Sequence, residues 1–239
     1  MSEQTEAEFL RDYSARDFDA PLCTVDVAVF AMDEGVLKVL LVRRADHPFR
    51  NRWALPGGFP DLLSDTGLHA TALRKLFEKT GLRGPYLEQV ESVGNATRDP
   101  RGWSITLLYF ALADIAEAKT VSADAQWFSL TDALAEQLAF DHDSLLRRAL
   151  SRLRSKTRYT ALPVHLMPDT FTLTELQQAC ETILGHSIEK KSFRRRLERA
   201  AILEETGELR PTSRRPAMLY RVGPGYSNDF IFPGILDVR

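Results

Sequence analysis

Apolar residues recur along this chain with two periods, and the switches between them mark out its elements. Cys23 to Met32, CTVDVAVFAM, alternates apolar and polar positions and is rich in valine, the pattern of a strand. Asp33-Glu34-Gly35 is a hairpin signal, and VLKVLLVRR (36–44) returns as a second strand. The loop ADHPFRNRWALP then leads to a tight Gly57-Gly58 turn. A helix is expected from about Thr66 to Thr80, stopped by Gly81, because glycine past a helix end takes the left-handed conformation at little steric cost. YLEQVESVGN (86–95) and WSITLLYFALAD (103–114) read as strands joined by ATRDPRG. Gln126-Trp127-Phe128 reads as a short strand, and Leu130 to Leu138 as a short helix. This order predicts an α/β/α sandwich, a mixed sheet with helices on both faces.

Near Asp141 the period changes. Leu145, Leu146, Ala149, Leu150 and Leu153 recur at helical spacing between arginines, which predicts one amphipathic helix over Asp141–Arg158, packed on the first domain or linking it to a second. Residues 160–170, with Pro163 and Pro168, are the expected boundary. Beyond it, Thr172-Leu173-Thr174-Glu175 is a capping box opening a helix that Gly185 ends. Ser187 is expected to cap the next helix, Ile188 to Ala201. ILEE follows as a short strand, TGELRPTSRRPA as a basic loop, and MLYRV as a return strand. Helix, turn, helix and a two-stranded wing make a winged helix-turn-helix. The expected domains are a flexible segment 1–21 with a short helix around Glu6–Tyr13, a domain 22–160 that includes the connecting helix 141–158, and a domain 161–239 ending in a glycine- and proline-rich tail.

Charge sharpens this division. The 239 residues carry a net charge of −2, but residues 171–222 hold 10 Lys+Arg against 7 Asp+Glu, bunched on one helix and one loop. With 44% hydrophobic and 27% charged residues the composition is that of a globular protein. The N-terminus is acidic and polar, unlike a signal peptide, and no apolar run approaches the ~20 residues of a membrane helix, so a cytoplasmic protein with no membrane partner is expected. Cys23 and Cys180 are far apart, without metal-binding spacing, and read as reduced thiols.

On the second helix of the C-terminal module, Phe193, Leu197 and Ala200 fall on one arc and should face the core. Lys191, Arg195 and Arg199 recur every four residues on the opposite side, with Ser192 beside them and Arg194 and Arg196 flanking. Arginine offers a rigid fork to guanine edges, and lysine, arginine and serine fix register on phosphates, so this face suits double-stranded DNA. Lys191, Ser192 and Arg195 are the candidates for base contact. Lys190, Arg194, Arg196, Arg199, the wing residues Arg210, Arg214 and Arg215, and Thr172 are assigned to the backbone.

Gly57 to Leu82 carries the other chemistry. The stretch resembles the Nudix box, a glycine loop followed by a carboxylate-lined helix that binds magnesium and a diphosphate. Arg74, Leu76, Glu78, Gly81 and Leu82 fit that pattern. Thr66, Lys75 and Lys79 replace three of its four glutamates, and two extra residues lie between Gly58 and Thr66. Positions 75, 78 and 79 share one helix face, so carboxylates that would hold a hard cation give way to two ammonium groups and one carboxylate. Three readings follow: a helix kept only for packing, a former catalytic site kept as a metal-independent binding site, or an active enzyme using Glu88, Glu91 or a carboxylate of the loop 98–103. The candidate ligand set is Lys75, Glu78 and Lys79, with Gly57, Gly58 and Phe59 near the helix start, where backbone and dipole favour phosphate. Arg43 and Arg44 at a strand end join it. Arg98, Asp99, Arg101 and Trp103 complete it, on a loop suited to stacking and phosphate pairing.

Taken together, KVLLVRRADHPF (38–49), WALPGGF (53–59), ALRKLFEKTG (72–81), VGNATRDPRGW (93–103) and FTLTELQ (171–177) resemble the Nudix-related transcriptional regulators of NAD metabolism. The likeness spans about residues 22–222. It implies a homodimeric repressor on a palindromic operator near NAD biosynthesis or salvage genes. It also implies release by ADP-ribose or a related NAD-derived nucleotide bound in a Nudix-like domain, with no cofactor required and no catalytic residue. The alternative is an active Nudix hydrolase of ADP-ribose-like compounds with an accessory domain. Cys180 departs from the family, standing where an aromatic is expected.

Overall fold

The computed structural model describes residues 4–14, 17–116, 121–211 and 215–232. Helix α1 (Glu6–Asp12) opens on a capping box at Thr5 and buries none of its residues. Strands β1 (Leu22–Asp33) and β2 (Val36–Arg43) form the expected hairpin, with Glu34 and Gly35 at φ of 48° and 79° across a two-residue turn. Strands β3 (Trp53–Ala54) and β4 (Gly57–Gly58) follow, then α2 (Leu68–Thr80), β5 (Tyr86–Asn95), β6 (Ser104–Ala113), β7 (Ala125–Ser129) and α3 (Leu130–Ala135). The sheet runs β3-β2-β1-β6-β5, with β4 paired to β1 and β7 to β2. β1 and β6 are parallel while β1–β2 and β5–β6 are antiparallel, so the sheet is mixed.

β1 is buried along nearly its whole length, because both faces of the sheet are covered. Val25, Val27 and Val29 face α2 with Ala72 and Leu76. Ala28, Phe30 and Met32 point the other way, toward Leu145, Leu146, Ala149, Leu150 and Leu153 of helix α4 (His142–Tyr159). Gly57-Gly58, expected as a turn, is a short strand instead, with Gly57 opposite Asp26 on β1. α2 begins at Leu68 rather than Thr66, after the N-cap Gly67, because Asp65 is engaged in a loop network. It ends as expected at Gly81, φ 82°.

The expected boundary at 160–170 contains a 3-10 helix, Leu162–Leu166, with Leu162, Val164 and Leu166 all buried. Helix α5 (Leu173–Leu184) has the expected Thr172–Glu175 capping box and Gly185 at φ 78°. Its Ala179 and Ile183 join the same apolar cluster as the sheet and α4, and the Thr182 hydroxyl donates to the Gly35 carbonyl at 3.1 Å. The C-terminal module is therefore packed onto the sheet.

Helix α6 (Lys190–Ala200) starts two residues later than expected and is capped by Glu189, not Ser187. The Glu189 carboxylate accepts from the amides of Lys191 and Ser192 at 2.9 and 2.6 Å. Strand β8 (Leu203–Arg210) takes in the first five residues of the stretch expected as a basic loop and pairs with β9 (Ala217–Val222). The tail packs back: Ile231 bridges Thr160, and the Phe232 amide donates to the Tyr159 carbonyl at 2.8 Å. Among the described residues no helix is long and apolar enough to cross a membrane, and both cysteines are free. Cys180 is buried near Phe232, and burial pushes its thiol up to about 12.

Candidate functional site

The loop before α2 is built around Asp65. Its carboxylate accepts from Arg74 at 2.6 and 2.5 Å, from the Thr71 hydroxyl at 2.8 Å and from the Asp61 amide at 2.8 Å. The Arg74 guanidinium holds the Asp65 carboxyl well below the usual carboxylate range. Arg74 also reaches the Phe59 carbonyl at 3.3 Å, so one side chain fixes both the glycine segment and the helix.

A cleft of about 500 Å³ opens beside this helix. Arg43, Arg44, Gly57, Gly58, Phe59, Lys75, Glu78, Lys79, Arg98, Asp99 and Arg101 all line it, so eleven of the twelve residues singled out in the sequence come together. Trp103 does not. It is half exposed and its ring lies against Gly94 instead. Glu78 is bound on both oxygens, by Arg74 at 2.9 Å and by Lys75 at 2.9 Å, and these hydrogen bonds, Lys75 first, lower its pKa. Lys79 adds a third cation along the same helix. A magnesium ion needs free oxygen donors in near-octahedral array, and these residues do not fit one. Among the described residues no group of three or more His, Cys, Asp or Glu side chains is placed to hold a metal.

The arginine loop is less exposed than a stacking platform would be. Arg98 and Asp99 are buried. Asp99 takes the Arg101 guanidinium at 2.7 Å, and Arg101 lies 5.3 Å from the Phe59 ring and 5.8 Å from that of Phe140. The Arg44 guanidinium lies 4.7 Å from the centroid of the Phe140 ring. The alternative acids lie elsewhere: Glu88 pairs with Arg152 and Lys156, and Glu91 with Arg148, all on α4.

The cleft floor holds residues that the sequence reading missed. Arg98 pairs with Asp141 at 3.0 Å and approaches Asp26 at 3.7 Å. Asp26 accepts the Thr106 hydroxyl at 2.7 Å. His142 Nδ1 accepts the Leu55 amide at 2.9 Å, which leaves the proton on Nε2, 3.6 Å from Asp26. Asp26 had one signal, a lone charge inside an otherwise apolar strand. Burial lowers the pKa of His142 and of His165. The folded chain thus refuses a proton that the unfolded chain accepts below about pH 6.5. The stability from these neutral rings is complete above that pH and is lost as pH falls below it. The urea midpoint should therefore drop from about pH 7.5 to about pH 5.5, and less steeply in His142→Gln, whose amide oxygen can still accept from Leu55. Equal declines in both proteins would exclude His142 as a cause.

In the C-terminal module Phe193 and Leu197 are buried, while Lys190, Lys191, Ser192, Arg194, Arg195 and Arg199 are exposed. Arg215 is exposed, and Arg214 lies outside the described residues. Three members of the set are engaged within the module. Thr172 is buried and its hydroxyl accepts the Glu175 amide. Arg210 pairs with Glu175 and donates to the Thr170 carbonyl. Arg196 is half-buried, over the Phe232 ring.

Fold and site thus define a class: a Nudix-type domain with a polar cleft beside its box helix, joined to a winged helix. The NUDIX domain family matches residues 23–149, and the NrtR DNA-binding winged helix domain matches residues 163–222. The chain belongs to the NrtR family of Nudix-related transcriptional regulators. It is 51% identical over 236 residues to the ADPR responsive transcriptional repressor NtrR of Acinetobacter baylyi, covering 98% of this chain and 94% of that one. Shewanella oneidensis NrtR complexed with a 27mer DNA matches with a TM-score of 0.86 and 44% identity, over 90% of this chain and 99% of that one. The NUDIX domain of the same protein complexed with ADP ribose matches with a TM-score of 0.58 and 47% identity, over 63% and 99%.

Proposed function

We propose that this chain is a DNA-binding transcriptional repressor of NAD biosynthesis or salvage genes, released from its operator when ADP-ribose or a related nucleotide enters the cleft. The observation that carries it is the box helix, where Lys75, Lys79 and a doubly bound Glu78 replace a row of free carboxylates. Such a face attracts the diphosphate directly and needs no cofactor. It binds without supplying the metal-activated water of a hydrolase, so the protein reports on its ligand without consuming it. The relatives' names support both halves, since one responds to ADPR and another was crystallised with DNA and with ADP ribose.

On DNA, the exposed face Lys191, Ser192 and Arg195 reads bases. Lys190, Arg194, Arg199 and the wing arginines hold phosphates. Thr172 and Arg210, committed to Glu175, leave this set. A homodimer on a palindromic operator matches two recognition helices to two half-sites, and a 27mer is long enough for half-sites one turn apart. The role places the protein in the cytoplasm, beside its DNA. Chromatography of ADP-ribose incubated with the protein and magnesium should recover it intact. Steady cleavage that Glu78→Gln abolishes would instead establish a hydrolase.

A further inference from the structure

The helix that faces DNA carries one arginine turned the other way. The Arg196 guanidinium sits 4.0 Å from the centroid of the Phe232 ring and donates to the Arg158 carbonyl at 3.0 Å. Burial lowers its pKa. Arg158 lies in the last turn of α4, where unsatisfied carbonyls favour a cation. The next residue, Tyr159, accepts the Phe232 amide, and Thr160 pairs with Ile231. The end of α4, the tail and α6 therefore meet at one point.

The other end of α4 sits at the cleft. Its N-cap Asp141 holds Arg98, a lining residue, and its first residue His142 accepts the Leu55 amide. An 18-residue helix spans roughly 27 Å, so α4 joins the two sites as one rigid element. The first helix of the module cannot transmit a swing on a loose linker, because α5 is packed into the sheet core through Ala179 and Ile183.

We propose that Arg196 is a positioning residue and not a DNA contact. It clamps the recognition helix and the tail to the end of α4, so that a shift of α4 at the cleft re-aims α6. The proposal rests on the reading of the cleft as effector site and of α6 as the DNA-facing helix. A ligand phosphate that draws Arg98 away from Asp141 supplies the differential contact that coupling requires.

The full-length protein, Arg196→Ala, Arg196→Lys and Phe232→Ala test it. Three quantities are read: the Kd for ADP-ribose, the Kd for a duplex from upstream of NAD genes across a salt series, and the change in that second Kd when ADP-ribose is saturating. In the wild type ADP-ribose should raise the DNA Kd by about 5–150-fold. In Arg196→Ala and Phe232→Ala the ADP-ribose Kd and the salt slope should match the wild type, while the DNA response falls below about threefold. Arg196→Lys, which keeps a cation near the Arg158 carbonyl, should regain part of the response. A salt slope reduced by about 0.9 in Arg196→Ala, with the effector response intact, would make Arg196 a phosphate contact and overturn the clamp. A full response in Phe232→Ala overturns it too, even if Arg196→Ala does not fold. A wild type indifferent to ADP-ribose overturns this proposal and the function beneath it. Responsive wild type and responsive variants overturn the clamp alone.

Discussion

Replacing Lys191, Arg195 and Arg199 together with alanine is expected to abolish operator binding at physiological salt and leave the ADP-ribose Kd unchanged. The three residues recur every four positions and are exposed, on the face of α6 opposite the buried Phe193 and Leu197. None of their side chains has a role in the helix cap, where Glu189 accepts from backbone amides. Removing them should therefore leave the module folded. Each base or phosphate contact contributes about 1–3 kcal/mol, so the triple variant should lose at least ~3 kcal/mol, roughly 150-fold in affinity. The salt slope should fall by about 0.9, since Arg199 is the phosphate contact among the three. Fluorescence anisotropy over a salt series measures both. Affinity within about threefold of the wild type would remove this face of α6 from the interface.

Gly57→Ala is the second large effect, and it falls on the cleft. A Cβ at this position would stand 2.3 Å from the Val25 carbonyl oxygen and 2.3 Å from Asp26 Oδ1. The first is backbone and the second belongs to a buried carboxylate bonded to Thr106, so neither can move aside cheaply. The Gly57–Asp26 pairing of β4 on β1 must open, and with it the wall that carries Phe59. Such overpacking costs about 1–3 kcal/mol, and more where backbone must shift. Denaturant unfolding should show that loss, and calorimetry should show weakened ADP-ribose binding. Gly58→Ala sets the contrast: its added Cβ meets only the flexible Lys75 stem, at 3.1 Å, although its φ of 152° adds strain. A stability loss for Gly57→Ala under about 1 kcal/mol would mean that β4 is not held against β1 as described.

What the sequence made legible was local. The β1–β2 turn, the Thr172–Glu175 capping box and the left-handed ends at Gly81 and Gly185 depend on residues within four positions of each other, and each was read correctly. The lysines of the box helix were equally visible, because helical spacing alone puts them on one face. The misses have a different origin. Gly57-Gly58 becomes a strand only because β1 lies alongside, and Asp26, Arg98 and the adjacent pair Asp141 and His142 meet beneath the cleft from three segments that no spacing rule connects. Glu189 displaced Ser187 as a cap because its longer side chain reaches two amides at once, while Ile188 between them is buried. On α6 the clustered arginines look alike in sequence. Arg196 is set apart by Phe232, which returns from the tail to meet it, and by the Arg158 carbonyl at the end of α4.

The central claim is that ligand in the cleft beside the box helix releases DNA from α6 and is not destroyed. The most direct measurement is the Kd for a duplex from upstream of NAD genes, titrated on one protein sample without and with saturating ADP-ribose and no added metal. The account predicts tight binding without the nucleotide and a Kd about 5–150-fold weaker with it. A Kd unchanged by ADP-ribose, or no binding to such DNA even at low salt, would contradict it.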